Sequence, residues 1–372
     1  MSQSDNQKVI VSVVGARPNF MKAAPVARTL GDIPTIRHVL VHTGQHYDAA
    51  MSDVFFRDLD LPAPDLSLGI GSGSHADQTA RIMQAFETDV ILPLKPSLVI
   101  IYGDVNSTVA AALVAKKLHI PVAHVESGLR SWDRTMPEEI NRIVTDAICD
   151  LLFVTEESGR TNLLREGADP RAIHFVGNTM IDSLAALIAR DGATDASIDP
   201  YLVLTLHRPS NVDDPASLKR LLSAIREGAG DTVIHFPIHP RTRAVLEKSG
   251  LLHELVVDER WVIQEPLGYC EFIGLVRRSE GVITDSGGIQ EETTWLGIPC
   301  VTLRESTERP STIEIGTNRL VGTEPTRVAH AVGTLSEYRG ASRQAQRPPL
   351  WDGNAAERIA QIVLRFLQGS EA

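Results

Sequence analysis

The stretch ITDSGGIQEE, residues 283–292, sets Ser286, Gly287 and Gly288 between an apolar run and two adjacent carboxylates. Glycines that open a helix leave backbone N–H groups bare. Together with the helix dipole, such groups suit a phosphate. Ser286 adds a hydroxyl, and Glu292, about two turns in, is placed to accept hydrogen bonds from ribose hydroxyls. The purely structural alternative makes Asp285 or Ser286 a helix N-cap, with Glu291 and Glu292 solvated.

A second anion-binding candidate is GARPNFMK, where Arg17 and Lys22 flank a helix start with Pro18 at the first helical position. Five residues are about one and a half turns, so the two cations only partly share a face. Three carboxylates come next: Asp104 in YGDVNST, Glu126 in HVESGLR and Glu138 in TMPEEINR. Proton transfer needs carboxyl groups in partly dry sites, where their pKa values can be pushed apart. Asp104 and Glu126, each ending a Val- and Ile-rich run, suit that chemistry best. Thr135 and Glu138 also fit a T-x-x-E capping box, a structural rival for Glu138.

What must position these groups is a series of short β-branched runs alternating with helical patterns. Strands are predicted at 8–15, 36–44, 97–104, 120–128, 151–157, 173–178, 201–208, 231–240, 260–266, 280–288, 298–303 and 318–322. Helical spacing fills 18–30, 75–92, 106–118 and 138–149 between them. Continuous apolar strands separated by helices imply parallel sheets covered on both faces. So many strands exceed one comfortable open sheet, and the polar stretch RDGATDASIDP breaks the rhythm midway. The expected organisation is α/β: a Rossmann-like, doubly wound domain over 1–189, a hinge over 190–200, and a second such domain over 201–353. A last helix, within 354–372, packs back on the first domain. Ligands of such sheets bind beyond the carboxyl ends of the strands. Residues 15–17, 103–104, 126–128, 207–208 and 285–288 all fall there, which favours a cleft between the domains.

Composition narrows the partners. The 372 residues carry 36 Lys and Arg against 47 Asp and Glu, a formal net charge of −11. No basic excess points to nucleic acid. The N-terminus lacks the pattern of a secretory signal, and no apolar run is long enough to span a membrane. Cys149, Cys270 and Cys300 are isolated and odd in number, as in a reducing compartment, so a cytoplasmic protein is expected. GIGSGS at 69–74 is out of register for a dinucleotide fingerprint and follows no strand, and no P-loop occurs. His42 and His46, like His235 and His239, have i, i+4 spacing but straddle strand ends, so no metal site is expected.

The ordered set GARPNFMKAAP, HTGQHYD, GDVNST, HVESGLRSWDRTMPEEINR, VGNTMIDSL, LTLHR, PIHPRT, TDSGGIQEE and ESTERPSTIEIGTNRLVG resembles the non-hydrolysing UDP-N-acetylglucosamine 2-epimerases of bacteria, from about residue 10 to 323. The resemblance implies the GT-B architecture, a homodimer, and no metal or NAD cofactor. It also implies interconversion of UDP-GlcNAc and UDP-ManNAc through elimination of UDP to 2-acetamidoglucal and re-addition. By the same resemblance Asp104, Glu126 and Glu138 move the C2 proton, and His207 assists departure of UDP or holds its phosphates. Arg17 and Lys22 meet the phosphate and sugar end; Ser286, Gly287 and Gly288 take the diphosphate. Glu292 takes the ribose, Arg309 the phosphate region, and Phe272 lies beside the uracil. Gln45, His46, Arg208 and His239 resemble parts of a second, activating UDP-GlcNAc site. A departure stands at Leu267, where enterobacterial members carry Gln; a uracil contact there would pass to backbone groups. Rival expectations are an epimerase of a diacetamido uronic acid sugar, a hydrolysing epimerase, a GT-B glycosyltransferase, and a nucleotide-sugar-binding regulator without catalysis.

Overall fold

The β-branched runs form two all-parallel sheets. The structure, a computed structural model, describes residues 7–45, 63–191, 201–342 and 346–369. The chain divides into two compact units, one running through Arg190 and resuming at Pro349, the other spanning Asp191–Pro348. The hinge expected at 190–200 lies almost wholly outside the described residues.

In the first unit the strands are β1 (Lys8–Val14), β2 (Ile36–His42), β3 (Leu66–Ser67), β4 (Leu98–Tyr102), β5 (Val122–Val125), β6 (Leu151–Val154) and β7 (Ile173–Phe175), in the order β3-β2-β1-β4-β5-β6-β7. β1 pairs in parallel with both β2 and β4, Val13 standing opposite Val41 and Ile101. The second unit holds β8 (Tyr201–Thr205), β9 (Val233–Pro237), β10 (Trp261–Gln264), β11 (Gly281–Thr284), β12 (Cys300–Thr302) and β13 (Asn318–Leu320), in the order β10-β9-β8-β11-β12-β13. Both orders reverse direction once, between β1 and β4 and between β8 and β11. The loops leaving those neighbours go to opposite faces and leave a crevice between them. Each sheet is therefore doubly wound, as the alternating pattern predicts.

Burial explains the continuity of the runs. Val11, Val13, Val99 and Ile101 pack against Ala111 and Ala115 in the first unit, and Leu204, Phe236, Ile283 and Val301 against Leu218, Ile225 and Val328 in the second. Each such side chain contributes about 1.5–3 kcal/mol by leaving water. The helix Ala355–Leu367 packs against the helix Arg17–Gly31, its first turn held by Asp182, which accepts from Ala355 N (3.1 Å) and Ala356 N (2.7 Å). Residues 349–353, expected at the end of the second domain, belong to the first unit, where Trp351 Nε1 donates to Thr155 O at 2.9 Å.

Locally the structure adds one strand that was not predicted and modifies two expectations. β3 is a two-residue edge strand with no sequence signal. The helix predicted over 75–92 is an α-helix, His75–Ala85, that widens into a π turn, Phe86–Ile91; Pro93, with no N–H to donate, lies just beyond. The second concerns Thr135: its hydroxyl and N–H both go to Asp133 Oδ1, and the N-cap of the helix Pro137–Ile148 is Met136. No T-x-x-E capping box forms, because Asp133 is the nearer acceptor.

Candidate functional site

At the switch point of the first sheet, the turn after β4 meets the start of the helix Arg17–Gly31. Asn19 joins them: its carboxamide oxygen accepts from Ala16 N at 3.0 Å and its Nδ2 donates to Tyr102 O at 2.8 Å. Gly103 has φ 63°, and a Cβ there would lie 2.9 Å from Lys22 Nζ and 3.3 Å from Glu126 Oε2. Only glycine accepts that backbone with two charged tips against it. Lys22 and Glu126 form an ion pair, both less than a tenth exposed. Glu126 itself has φ 74°, a left-handed conformation that costs a non-glycine residue about 1–3 kcal/mol and is held only where neighbours over-determine it. Its N–H and that of Ser127 both donate to Phe153 O, each at 3.1 Å.

Asp104, one residue past Gly103, forms an ion pair with Arg142, and its carbonyl accepts from Asn141 Nδ2 at 2.9 Å. Arg142 is gripped from behind by Glu139, with Nη2 2.6 Å from Oε2. Glu139 is buried and also accepts from the N–H groups of Ser131 and Trp132, each at 3.0 Å. Burial alone would raise its pKa, but those donors and Arg142 hold it below the usual glutamate range. Glu138, which precedes Glu139 in sequence, is exposed. It shares with Asp104 the wall of a cavity of about 230 Å³, lined further by Gln45, His75, Asn106 and Asn141. Gln45 is fixed there by Ser107, whose N–H and hydroxyl reach its Oε1 at 3.1 and 2.7 Å. Arg17 is the first residue of its helix; His46 lies outside the described residues.

The second sheet repeats the arrangement with other chemistry. Asp285, after β11, is fully buried and turned across the switch point toward the loop after β8. It accepts from His207 N, Arg208 N and Asn211 Nδ2 between 3.0 and 3.2 Å, and its Oδ1 lies 2.9 Å from His207 Nδ1. Burial opposes its ionisation, yet these partners hold its pKa below the ordinary aspartate value. Arg208 Nε donates to Asp285 O at 2.9 Å. His239 caps the helix Pro240–Ser249, its Nδ1 accepting from Arg241 N, with its ring 5.6 Å from that of His207. Of the four residues linked to a second nucleotide site, Gln45 thus belongs to the first unit, and Arg208 and His239 to the second.

Ser286 occupies the N-cap of the helix Gly287–Leu296 without a side-chain capping bond. A Cβ at Gly287 would lie 2.7 Å from Arg309 Nη1. The glycine therefore admits the protein's own guanidinium beside the open helix end. Arg309 is paired with Glu308, and its Nε lies 3.0 Å from Glu291 Oε1, while Arg304 Nη2 lies 2.7 Å from Glu308 Oε2. Glu291 and Glu292 are buried, which overturns the solvated alternative. Burial first, with Glu291 adding to it against the Tyr269 hydroxyl, pushes Glu292 up to about 8. Phe272 packs, partly buried, with Leu267 against the cluster of Tyr201, Val203 and Val282.

Sequence reasoning passed over Arg142, Glu139, Arg304 and Glu308. A signal was available: charged residues three and four apart on helix-like spacing, beside the very residues singled out. Among the described residues no cluster of three or more His, Cys, Asp or Glu is arranged to hold a metal, and no helix is long and apolar enough to cross a membrane.

Residues 28–364 match the family model described as UDP-N-acetylglucosamine 2-epimerase. The UDP-N-acetylglucosamine 2-epimerase of Methanocaldococcus jannaschii is 42% identical over 362 residues, covering 94% of this chain and 97% of that protein. The UDP-2,3-diacetamido-2,3-dideoxy-D-glucuronate 2-epimerase of Pseudomonas aeruginosa is also 42% identical, over 364 residues, 96% of this chain and 99% of that one. Among solved structures, the Methanocaldococcus jannaschii UDP-GlcNAc 2-epimerase in complex with UDP-GlcNAc and UDP superposes with a TM-score of 0.87 at 40% identity, covering 96% of this chain and 99% of that one.

Proposed function

The chain belongs to the UDP-N-acetylglucosamine 2-epimerase family, and from that premise we propose how its two clusters share the work. The protein is an isomerase that interconverts UDP-N-acetylglucosamine and UDP-N-acetylmannosamine, with two Rossmann-like domains of the GT-B type. A base removes the C2 proton, and the C1–O bond breaks to release UDP and leave 2-acetamidoglucal. UDP then adds back at C1 while a proton returns to the opposite face of C2. The first unit moves the proton, through Asp104, Glu126 and Glu138. The second holds UDP: Gly287, Gly288, Ser286 and Arg309 at the diphosphate, His207 at the departing oxygen, Glu292 at the ribose, Phe272 beside the uracil. Arg17 and Lys22 serve the phosphate and sugar end.

One observation carries this reading: Asp104 and Glu126 flank Gly103, each with its own cation, Arg142 and Lys22. Two separately paired carboxylates on adjacent turns suit a reaction that takes a proton from one face of a carbon and supplies it to the other. Charge that develops on UDP is met by the open N-terminus of the helix Gly287–Leu296 and Arg309. We also take the protein to be a cytoplasmic homodimer, needing no metal or NAD.

A second reading keeps the chemistry and changes the sugar. Identity to the Pseudomonas aeruginosa diacetamido-glucuronate epimerase equals that to the Methanocaldococcus jannaschii protein. Incubation with each UDP-sugar in D2O, followed by proton NMR, tests both. Deuterium at C2 together with UDP-ManNAc supports the first reading. Exchange only with the diacetamido uronate establishes the second, and free ManNAc means hydrolysis instead.

A further inference from the structure

His124 lies in β5, two residues before Glu126, and is completely buried. Its ring has a hydrogen-bond partner on each side. Nε2 is 2.8 Å from Gly103 O, and Nδ1 is 2.7 Å from Asp146 Oδ1. A carbonyl only accepts, so Nε2 must carry a hydrogen. Another hydrogen must then lie between Nδ1 and Asp146. The second carboxylate oxygen decides where it resides: Oδ2 accepts from Gly128 N at 3.0 Å and lies 2.7 Å from Arg130 Nη1. Both partners are donors and favour a carboxylate, which leaves the hydrogen on the ring. Arg130 is in turn paired with Glu166, at 2.6 Å, so the charges alternate in sign from the buried ring out to an exposed carboxylate.

We propose that His124 is a positioning residue held as a buried imidazolium, tying the turn at residues 103–104 to the turn at 126–128 through Asp146. Both turns need such a tie. Gly103, Glu126 and Gly128 all have left-handed φ, at 63°, 74° and 79°, and a free loop would relax away from them. His124 holds the carbonyl that precedes Asp104, and Asp146 holds the N–H two residues after Glu126. Burial works against the charge on Asp146, but His124 and Arg130 keep its carboxyl below the usual aspartate range. With the roles proposed above for Asp104 and Glu126, the ring fixes the spacing of the two groups that exchange the C2 proton.

The test has two independent parts. In the full-length protein labelled with 15N-histidine, the ring signal that disappears in His124→Asn is expected to show protons on both nitrogens at neutral pH. A ring with one bare nitrogen overturns the proposal. In D2O, His124→Asn is expected to slow C2 exchange by about 100-fold, as for a misplacement of roughly an ångström, with UDP affinity unchanged within about three-fold. The double variant His124→Gln with Asp146→Asn restores a neutral donor chain through the same positions and should recover part of that rate. Equal loss of UDP affinity and exchange, or a wild-type rate in His124→Asn, sinks the positioning role. If His124→Asn does not fold, Asp146→Asn is read by the same two criteria. Absence of any C2 exchange in the wild-type protein would defeat the functional reading alone, since the ring signal still decides the imidazolium tie.

Discussion

His207 Nδ1 lies 2.9 Å from Asp285 Oδ1, across the switch point of the second sheet. The buried carboxylate therefore fixes the ring and leaves Nε2 as the nitrogen not held by the protein's own aspartate. His207→Asn is expected to lower turnover by about 10²–10⁴-fold with little change in melting temperature. Asp285→Asn should lower both, because an amide in its place meets three N–H donors and loses charge-assisted bonds worth about 1.5–3 kcal/mol each. Turnover assays and thermal melts on the two variants check this; similar melting losses would make His207 a structural partner.

Asp104 is the group whose loss should separate chemistry from binding. It sits in the first unit, beside Arg142, while the residues assigned to UDP, Arg17 and Lys22 apart, are in the second. Asp104→Asn keeps the shape and the Asn141 bond to its carbonyl. UDP affinity is expected within about two-fold of wild type and C2 exchange in D2O down by about 10²–10⁴-fold. Isothermal titration with UDP and NMR exchange measure the two, and parallel losses would count against the catalytic assignment.

These pairs also mark the limit of what could be read in the chain. The twelve longer strands were legible because β-branched runs such as KVIVSVV are buried on both faces and so show no alternation. The two residues of β3 offer no such run. Lys22 and Glu126 were each singled out, but they are separated by 104 positions, and nothing local says that one neutralises the other. For Glu291 and Glu292 the sequence left a solvated pair open beside a ribose role for Glu292; their burial involves Arg309 and Tyr269, from other segments. Thr135 fitted a capping template and was taken by Asp133, a competition that only geometry resolves.

Asp182 gives a stability test in the acid range. Burial above all, with Asp352 adding to it, raises it from 3.8 to about 6 despite the bonds from Ala355 and Ala356. The folded state therefore binds its proton more tightly than the unfolded chain does. That contribution is present in full below pH 3.8 and is lost as pH rises through about 6, by at most about 3 kcal/mol. Denaturant titrations from pH 4 to 7 should show this slope for the wild type and a flatter one for Asp182→Asn. An unchanged slope in the variant would assign the dependence to other groups.

Glu292 allows the ribose assignment to be tested through protons. Burial raises its pKa from 4.5 to about 8, so the carboxyl is mostly neutral at pH 7 in the free protein. Its stability contribution is complete below pH 4.5 and is lost as pH rises through about 8. Ribose hydroxyls donating to this group favour its charged form, which lowers its pKa in the complex. UDP binding at pH 7 should then release a fraction of a proton. Calorimetry in buffers of different ionisation enthalpy measures that number directly, and Glu292→Gln should reduce it to the part the UDP terminal phosphate contributes, whose second pKa is about 6. Binding without proton release in the wild type would mean that Glu292 stays protonated, acting toward the ribose as a donor or not at all.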